Sequence, residues 1–287
     1  MIMPAIGKWR KRIYSFLFLL SLFGCICVVY GYYEARHIVS KEFTFKHEDI
    51  PPSFVGKKII FIADIHCNRF FDKERVAALV KTVNERHPDI ILMGGDYIEY
   101  DTIYQQQFFE EIAKLKSKDG IYAVLGNHDH WADAPLVWQK FEEMGINICD
   151  NHSYWIRTTD DSIKIGGVGD LWENTQIIEN TIADISNKDF CILLSHNPEY
   201  LDRLDTQAVD LVLSGHNHGG QVTLFGLWAP VLPNTMHHSW FDTEQKYRYG
   251  WAYKNDISMY ITSGIGMGSI PIRFFSPPEI VELTLEK

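Results

Sequence analysis

Five short polar clusters hold the side chains best suited to chemistry, and each cluster follows a run of apolar residues. The candidates are two carboxylates, one amide and four imidazoles: Asp64, His66, Asp96, Asn127, His196, His216 and His218. Carboxylate oxygens, amide oxygens and imidazole nitrogens are ligands that divalent metal ions accept. The last two histidines lie in a Gly-His-x-His-Gly-Gly sequence at 215–220, whose glycines allow a close backbone approach. Together these residues predict a metal site.

Each cluster taken alone has an ordinary structural explanation. Asp96 follows a glycine, which is typical of a turn, and Asn127 and Asp129 could cap a helix. His196 could be a buried core histidine. None of these explanations accounts for metal-ligand types recurring after five apolar runs in succession. The whole set therefore favours a metal site over five unrelated structural features.

The apolar runs that precede the clusters are rich in Ile, Val and Leu and end abruptly, which is typical of strands buried on both faces. They lie within residues 57–66, 88–96, 120–129, 190–196 and 209–220. Two intervening segments, residues 72–87 and 102–118, place apolar residues at helical spacing. Strands that alternate with helices predict a largely parallel sheet. Because ligands in such folds bind at the carboxyl ends of the strands, we expect the clusters to converge there.

The order of the clusters resembles the calcineurin-like metallophosphoesterase family. The family pattern Asp-x-His, Gly-Asp, Gly-Asn-His-Asp, His, Gly-His-x-His is complete over residues 64–218, and residues 264–280 are also similar to the family. The branch resembled is that of bacterial membrane-associated phosphodiesterases of the YkuE and YaeI type. The resemblance implies an α/β fold with two packed β-sheets flanked by helices, here preceded by one N-terminal transmembrane helix. It also implies hydrolysis of a phosphoester bond.

The resemblance further implies two ligand sets joined by a bridging Asp96. One set is Asp64, His66 and His218, and the other is Asn127, His196 and His216. Two ions roughly 3.5–4 Å apart can share a hydroxide nucleophile and neutralise the oxygens of an in-line displacement at phosphorus. The histidine content favours Mn, Fe or Zn over Mg.

Three further residues receive roles near the metals. His128 is similar to the family's non-ligand histidine, which protonates the leaving oxygen, and Asp129 would orient that histidine by a hydrogen bond. Arg273 could bind a substrate phosphate through its planar guanidinium or could form an ordinary salt bridge.

The N-terminus contains an uncharged segment of membrane-spanning length. Residues 13–33 would form a helix roughly 30 Å long, close to the thickness of a bilayer's hydrocarbon core. Tyrosines near its end are typical of a membrane interface. We expect four parts: a basic tail at 1–12, a transmembrane anchor at 13–33, a juxtamembrane lead-in at 34–56 and a catalytic domain at 57–287.

The topology and processing of this segment allow alternatives. Basic residues at 8–12 outnumber those just after the span, which favours a cytoplasmic N-terminus and a catalytic domain outside the cytoplasm. A cleaved signal peptide is disfavoured because no Ala-x-Ala site is present. Lipidation at Cys25 is disfavoured by the bulky Phe23 and by the apolar run that continues beyond the cysteine.

The charge of the chain excludes one class of partner. The formal net charge is −10, although residues 1–33 carry four basic residues and no acidic one. The rest of the chain is therefore strongly acidic and would repel a nucleic-acid backbone. The expected partners are the lipid bilayer and a phosphoester or lipid-phosphate substrate. The sequence does not predict an oligomeric state.

The apolar segment at 222–241 bears on the substrate. It is either a core hairpin or an apolar lip that admits acyl chains or touches the bilayer, with Trp228 and Trp240 as candidate substrate contacts. An amphiphilic phosphoester or pyrophosphate is the favoured substrate. The alternatives are UDP-2,3-diacylglucosamine in lipid A synthesis, which requires a cytoplasmic active site, and a simple diester or monoester outside the cytoplasm. A catalytically silent metal-binding scaffold is disfavoured because His128 and Asp129 are both present.

Overall fold

Two six-stranded β-sheets form the body of the protein. The computed structural model describes residues 4–100, 102–232, 245–268 and 270–287. The strands of the first sheet, in spatial order, are β1 (Val39–Lys46), β12 (Glu279–Glu286), β2 (Lys58–Ile62), β3 (Ile90–Met93), β4 (Ile121–Ala123) and β5 (Asn147–Ile148). Those of the second sheet are β10 (Gly250–Lys254), β11 (Ile257–Ile261), β9 (Leu211–Ser214), β8 (Cys191–Leu194), β7 (Ser162–Gly167) and β6 (Ser153–Arg157).

Each sheet has four adjacent parallel strands, as the alternation of strands and helices predicts. In the first sheet these are β2, β3, β4 and β5, and β12 pairs antiparallel with β2. In the second sheet they are β7, β8, β9 and β11, with β6 and β10 antiparallel at the edges. The five predicted strand runs correspond to β2, β3, β4, β8 and β9.

The inner faces of the two sheets pack against each other. Phe61 and Leu92 of the first sheet share one buried cluster with Ile165, Leu194 and Leu213 of the second. Alternate residues on β2 and β3 point to the opposite face of the first sheet, where the helices between residues 73 and 143 pack, whereas the short helices at 179–182 and 200–203 pack on the outer face of the second sheet. The described helices are α1 (Pro4–Glu34), α2 (Lys73–Glu85), α3 (Gln105–Ile112), α4 (Asn127–Glu143), α5 (Glu179–Ile182) and α6 (Tyr200–Arg203). The expected fold of two packed sheets flanked by helices is confirmed.

The two predicted internal helices differ in how far they follow their sequence patterns. In α2 the apolar stripe from Val76 to Val83 is buried, and Asp72 caps the helix by accepting from the amide of Arg75 at 3.2 Å. The helix α3 is shorter than its predicted span of 102–118. Asn84 of α2 binds the carbonyl oxygen of Lys114 and the amide of Lys116, which holds that part of the chain in a non-helical conformation.

Most of the N-terminal helix stands apart from this packing, while its last turns contact the body of the protein. Lys8–Glu34 is long and apolar enough to cross a membrane by length and composition, criteria that a signal sequence also meets, and its apolar window is not buried against the rest of the protein. The following residues 34–56, expected to be a lead-in, contribute a structural element. Here β1 pairs in parallel with β12 along eight residue pairs and forms the edge of the first sheet.

Candidate metal centre

The five polar clusters converge where the parallel strands of the two sheets end. Loops after β2, β3 and β4 of the first sheet meet loops after β8 and β9 of the second. The seven predicted ligands are all buried: Asp64, His66, Asp96, Asn127, His196, His216 and His218. The fold therefore collects at one place residues that lie up to 154 positions apart in the sequence.

The ligand atoms form two groups that share Asp96. In the first group, His66 Nε2 lies 3.0 Å from His218 Nε2, and His218 Nε2 lies 3.7 Å from Asp64 Oδ1. In the second group, His216 Nδ1 lies 3.2 Å from His196 Nε2. Asp96 Oδ2 lies 3.5 Å from His66 Nε2 and 3.2 Å from His196 Nε2. Its carboxylate therefore reaches both groups, as a bridging ligand must.

Several buried polar atoms of this cluster have no hydrogen-bond partner. They include Asp64 Oδ2, Asn127 Oδ1 and His216 Nε2. A buried polar atom without a partner costs roughly 1–3 kcal/mol, so such atoms are rare unless another group satisfies them. Oxygen and imidazole donors in this arrangement fit divalent metal ions. The residues present therefore match the two-metal centre that the family pattern implies.

The backbone at the ligands is unusual. Five of the seven ligands have a positive φ, between 44° and 69°: Asp64, His66, Asp96, His216 and His218. Residues other than glycine seldom adopt this left-handed conformation, and strain of this kind concentrates at functional sites. Gly95 makes a further tight turn at φ 93°, where an added Cβ would lie 2.7 Å from His196 Nδ1. The loops thus adopt costly conformations that aim ligand atoms at one point.

The electrostatics of the cluster separate two kinds of histidine. Burial, reinforced by the charge of His196, lowers the pKa of His216 to about 3, and burial also lowers the pKa of His218 well below its usual value. Both rings are therefore neutral at pH 7, the form that binds a metal ion. Burial alone would lower the pKa of His196, but the Asp96 carboxylate raises it well above its usual value.

His128 lies beside the ligands at the start of α4 and has Glu99 as its carboxylate neighbour. Its amide donates to Asp96 Oδ1 at 2.8 Å, and its ring stands 4.6 Å from that of His66. Glu99 Oε2 is 3.4 Å from His128 Nδ1 and makes a very short contact with His66 Nδ1. Glu99 therefore links a predicted ligand to the predicted acid.

The expected hydrogen bond from Asp129 to His128 is not what the structure shows. The Asp129 carboxylate accepts instead from the amides of Gly126, Asp96 and Tyr97 at 2.8–3.0 Å. It therefore caps α4 and ties the Asp96 loop to the start of that helix. The physical reason is the short reach of aspartate at the third residue of the helix, where backbone amides without helical partners lie closest.

The structure also corrects the proposed contact of Arg273 with substrate phosphate. This guanidinium is fully buried and donates to the carbonyl oxygens of Gly266, Ser263 and Ser276 at 2.7–3.1 Å. It also lies 3.4 Å from the carbonyl oxygen of His218. All three nitrogens of the guanidinium donate to backbone carbonyl oxygens. Arg273 therefore supports the loop that carries His218 and does not present its guanidinium to a ligand.

The aromatic residues of the cleft are not those expected from the sequence. A cleft of about 260 Å³ is lined by several ligands together with Tyr100, Trp131, Trp172 and Gln221, and Trp228 is not among its lining residues. Tyr100 and Trp131 stack at 5.6 Å, and Trp172 packs edge-on against His216 at 4.7 Å. Trp240 lies outside the described residues. The apolar wall beside the predicted ligands is therefore formed by the loops after β3 and β7 and by α4.

Sequence reasoning missed Glu99 and these aromatic residues. Glu99 follows Asp96 by three residues, which was the one available signal, because a buried carboxylate often supports a metal-binding histidine. Tyr100, Trp131 and Trp172 follow no spacing rule and become neighbours only through the tertiary fold.

Comparisons with known proteins agree with this geometry. The family model described as calcineurin-like phosphoesterase matches residues 57–220. The uncharacterized metallophosphoesterase YkuE of Bacillus subtilis is 31% identical, covering 94% of this chain and 96% of that protein. The phosphodiesterase YaeI of Escherichia coli is 28% identical, with 79% and 82% covered. A Danio rerio transmembrane protein with metallophosphoesterase domain is 26% identical, with 99% of this chain and 64% of that protein covered.

These similarities confirm the resemblance to the YkuE and YaeI branch. The family model covers more than half of the chain and includes every predicted ligand. The convergent carboxylates and imidazoles supply the chemical groups that such a family requires. This chain belongs to the calcineurin-like phosphoesterase family and is a metal-dependent phosphoester hydrolase.

Proposed function

We propose that this protein is a membrane-anchored phosphoesterase that hydrolyses a phosphodiester or pyrophosphate bond with two divalent ions. The observation that carries the proposal is the pair of ligand groups that share Asp96 and contain unpartnered buried atoms. Asp64, His66 and His218 would hold one ion. Asn127, His196 and His216 would hold the other. When bound, such ions supply Lewis acidity and lower the pKa of water for attack at phosphorus.

The residues around the ligands have separate tasks in this reaction. Asp96 orients the start of α4 by accepting from the amide of His128, so that the His128 ring faces the cleft. That ring can donate a proton to the leaving oxygen, because it lines the cleft and is no member of the proposed ligand sets. Glu99 Oε2 lies 3.4 Å from His128 Nδ1, where its negative charge favours the protonated imidazolium that this donation needs.

Membrane attachment is part of the same proposal. The helix α1 contains a span of suitable length and composition, and relatives include proteins named for a transmembrane segment. Basic residues before the span favour a cytoplasmic N-terminus with the catalytic domain outside the cytoplasm. C-terminal fusions test this orientation. Alkaline phosphatase should be active and a fluorescent protein dark; the reverse pattern would place the catalytic domain in the cytoplasm.

The substrate that fits these features is an amphiphilic phosphoester or pyrophosphate. The anchor would hold the cleft near lipid substrates, and aromatic residues line one side of the cleft. Cleavage of UDP-2,3-diacylglucosamine is the alternative if the catalytic domain faces the cytoplasm. A catalytically silent metal-binding scaffold is the alternative of another class, and the His128 ring in the cleft argues against it.

Purified full-length protein in detergent tests the proposal in two steps. After reconstitution with excess Mn²⁺, elemental analysis should approach two ions per chain, whereas no bound metal would overturn the metal assignment. A panel of soluble diesters, monoesters and lipid pyrophosphates should then show metal-dependent hydrolysis. Two bound ions without hydrolysis of any of them would favour the scaffold.

A further inference from the structure

A patch of large apolar side chains is exposed beside the last ligand loop. Its members each expose between 55% and 79% of their surface: Leu224, Phe225, Leu227, Val231 and Ile270. We call these five residues the apolar patch. Isolated exposed apolar residues are common, but these five lie on two segments that are joined by Gln221 and by the bridge from Val222 to Phe274, and such groups usually mark a surface that another apolar phase covers.

The apolar patch is continuous with the end of the N-terminal helix. Phe225 of the patch contacts Phe275 at a ring distance of 5.6 Å, and Phe275 contacts Tyr30 of α1 at 5.4 Å. Tyr30 also packs edge-on against Phe274 at 5.2 Å. The amide of Arg273 donates to the carbonyl oxygen of Gly31 at 3.0 Å. The catalytic body thus rests directly on the last turns of α1.

These contacts place the apolar patch at the depth where α1 leaves the membrane. Tyr30, Tyr32 and Tyr33 form the aromatic group at that end of the span, as interfacial tyrosines do. Since Tyr30 and Phe225 are separated by one aromatic ring, a bilayer that surrounds α1 also reaches Phe225. Among the residues that the structure describes, no contact of α1 favours a second copy of the chain as the occupant of the patch.

The apolar patch is also connected to the catalytic cleft. Gln221 and Gly268 line the cleft. The side chain of Gln221 donates to the carbonyl oxygens of Ile270 and Ile272 at 2.9 and 3.2 Å. The rim of the cleft and the apolar patch therefore belong to the same two chain segments, residues 221–231 and 268–270. A bilayer in contact with the patch would lie next to the cleft.

We infer that the apolar patch inserts into the bilayer that α1 crosses, and that the site therefore takes a phosphate carried by a membrane lipid. The inference rests on the proposed membrane anchor and adds a second contact with the bilayer. That contact holds the cleft at the lipid surface, where the phosphate of an amphiphile enters without leaving the membrane. Amphipathic surfaces of this kind bind at the boundary of headgroups and acyl chains.

Depth-dependent fluorescence quenching tests the insertion on the full chain in phosphatidylcholine vesicles. Cys25 and Cys27 are first replaced by Ala, since the other three cysteines are buried. A nitrobenzoxadiazole label is then placed, one at a time, on Leu17→Cys in α1, Leu227→Cys in the patch and Tyr253→Cys. Tyr253 is the matched control, because it is 69% exposed on the hairpin of β10 and β11.

Lipids with a spin label on the acyl chain should quench the labels at positions 17 and 227 and leave that at 253 bright. Quenching at 17 alone would overturn the insertion of the patch while leaving the anchor intact. Absence of quenching at both 17 and 227 would show that the anchor itself fails. A label at 227 that changes only with protein concentration would indicate a second copy on the patch, which also contradicts the inference.

Hydrolysis gives a second readout that needs no label. Leu227→Asp should lower the turnover of a lipid phosphodiester in vesicles by at least about tenfold, because a large apolar side chain no longer enters the bilayer. Tyr253→Asp should have no such effect. Both variants should hydrolyse a soluble diester like the wild type. Equal lipid turnover in the two variants would contradict the inference.

Discussion

Two clusters of histidine and carboxylate residues lie at opposite ends of the second sheet, and only one of them has the features of a metal centre. Strand β9 connects them: Asp210 precedes its first residue and His216 follows its last. At the carboxyl end, ligand atoms are buried, several lack partners and the backbone is left-handed. At the amino end, Asp210 lies with His47 and Asp49 within metal-binding distance of one another.

In the amino-end cluster, Asp210 and His47 already have hydrogen-bond partners within the protein. Asp210 Oδ2 accepts from the amide of Cys191 at 2.7 Å, and His47 Nδ1 accepts from the amide of Asp49 at 3.3 Å. His47 and Asp49 are also partly exposed, so water can solvate them. The neighbouring cavity is the larger of the two, about 730 Å³ against about 260 Å³ for the catalytic cleft. Neither proximity of ligand types nor cavity size therefore identifies a site by itself; the combination of clustered ligand types, burial and unpartnered atoms does.

The largest expected effect comes from Asp96, the residue shared by both ligand groups. Asp96→Asn removes the negative charge that both ions need and should abolish binding of the pair along with hydrolysis. Elemental analysis and circular dichroism of the purified variant measure metal content and folding. A folded variant that retains two ions would contradict the bridging role.

His128 should separate binding from chemistry. His128→Ala removes the proposed acid and no ligand, so both ions should remain while turnover falls about 10²–10⁴-fold. The fall should be greatest for substrates with poor leaving groups. His152 directly precedes β6. His152→Ala serves as the matched control and should retain full turnover. Wild-type turnover by His128→Ala on poor leaving groups would remove His128 from the mechanism.

Glu99 should have an intermediate effect, because it acts through His66 and His128. Glu99→Gln keeps the size of the side chain and removes the carboxylate behind His66, which should weaken metal affinity about 10–100-fold. Isothermal titration with Mn²⁺ measures that affinity. If affinity and turnover are both unchanged, the contact of Glu99 with His66 has no role in the centre.

The smallest effect is expected at the amino-end cluster. His47→Ala should leave the metal stoichiometry and the turnover unchanged, and should alter the free energy of unfolding by no more than about 1 kcal/mol, as for other partly exposed ion pairs. Elemental analysis, a turnover assay and thermal unfolding measure these three quantities. Loss of a bound ion in this variant would mean that the contrast between the two clusters is false.

The sequence predicts the metal centre better than the groups around it. The ligands were recoverable because each follows a buried strand, and the ends of parallel strands meet at one edge. Arg273 could not be placed from sequence, because its partners are carbonyl oxygens of the loops around it and carry no residue signature. The family pattern implies that Asp129 orients His128, but the pattern does not reveal that backbone amides lie closer to the Asp129 carboxylate.

The sequence also does not predict which apolar residues after the last ligand loop are exposed. The segment after the last ligand loop could be a core hairpin or an exposed lip, because its apolar residues follow no clear period. In the structure, Leu224, Phe225 and Leu227 are exposed, while Ala229 and Leu232 are buried. Which of them face solvent depends on contacts with α1 and with the segment near Phe275, far away in the sequence.

Anomalous X-ray diffraction from Mn²⁺-loaded crystals tests the central claim most directly. Data collected at the manganese edge should show two peaks about 3.5–4 Å apart, both within bonding distance of the Asp96 carboxylate. Asp64, His66 and His218 should surround one peak, and Asn127, His196 and His216 the other. A single peak away from Asp96, or a peak between His47 and Asp210, would contradict the account.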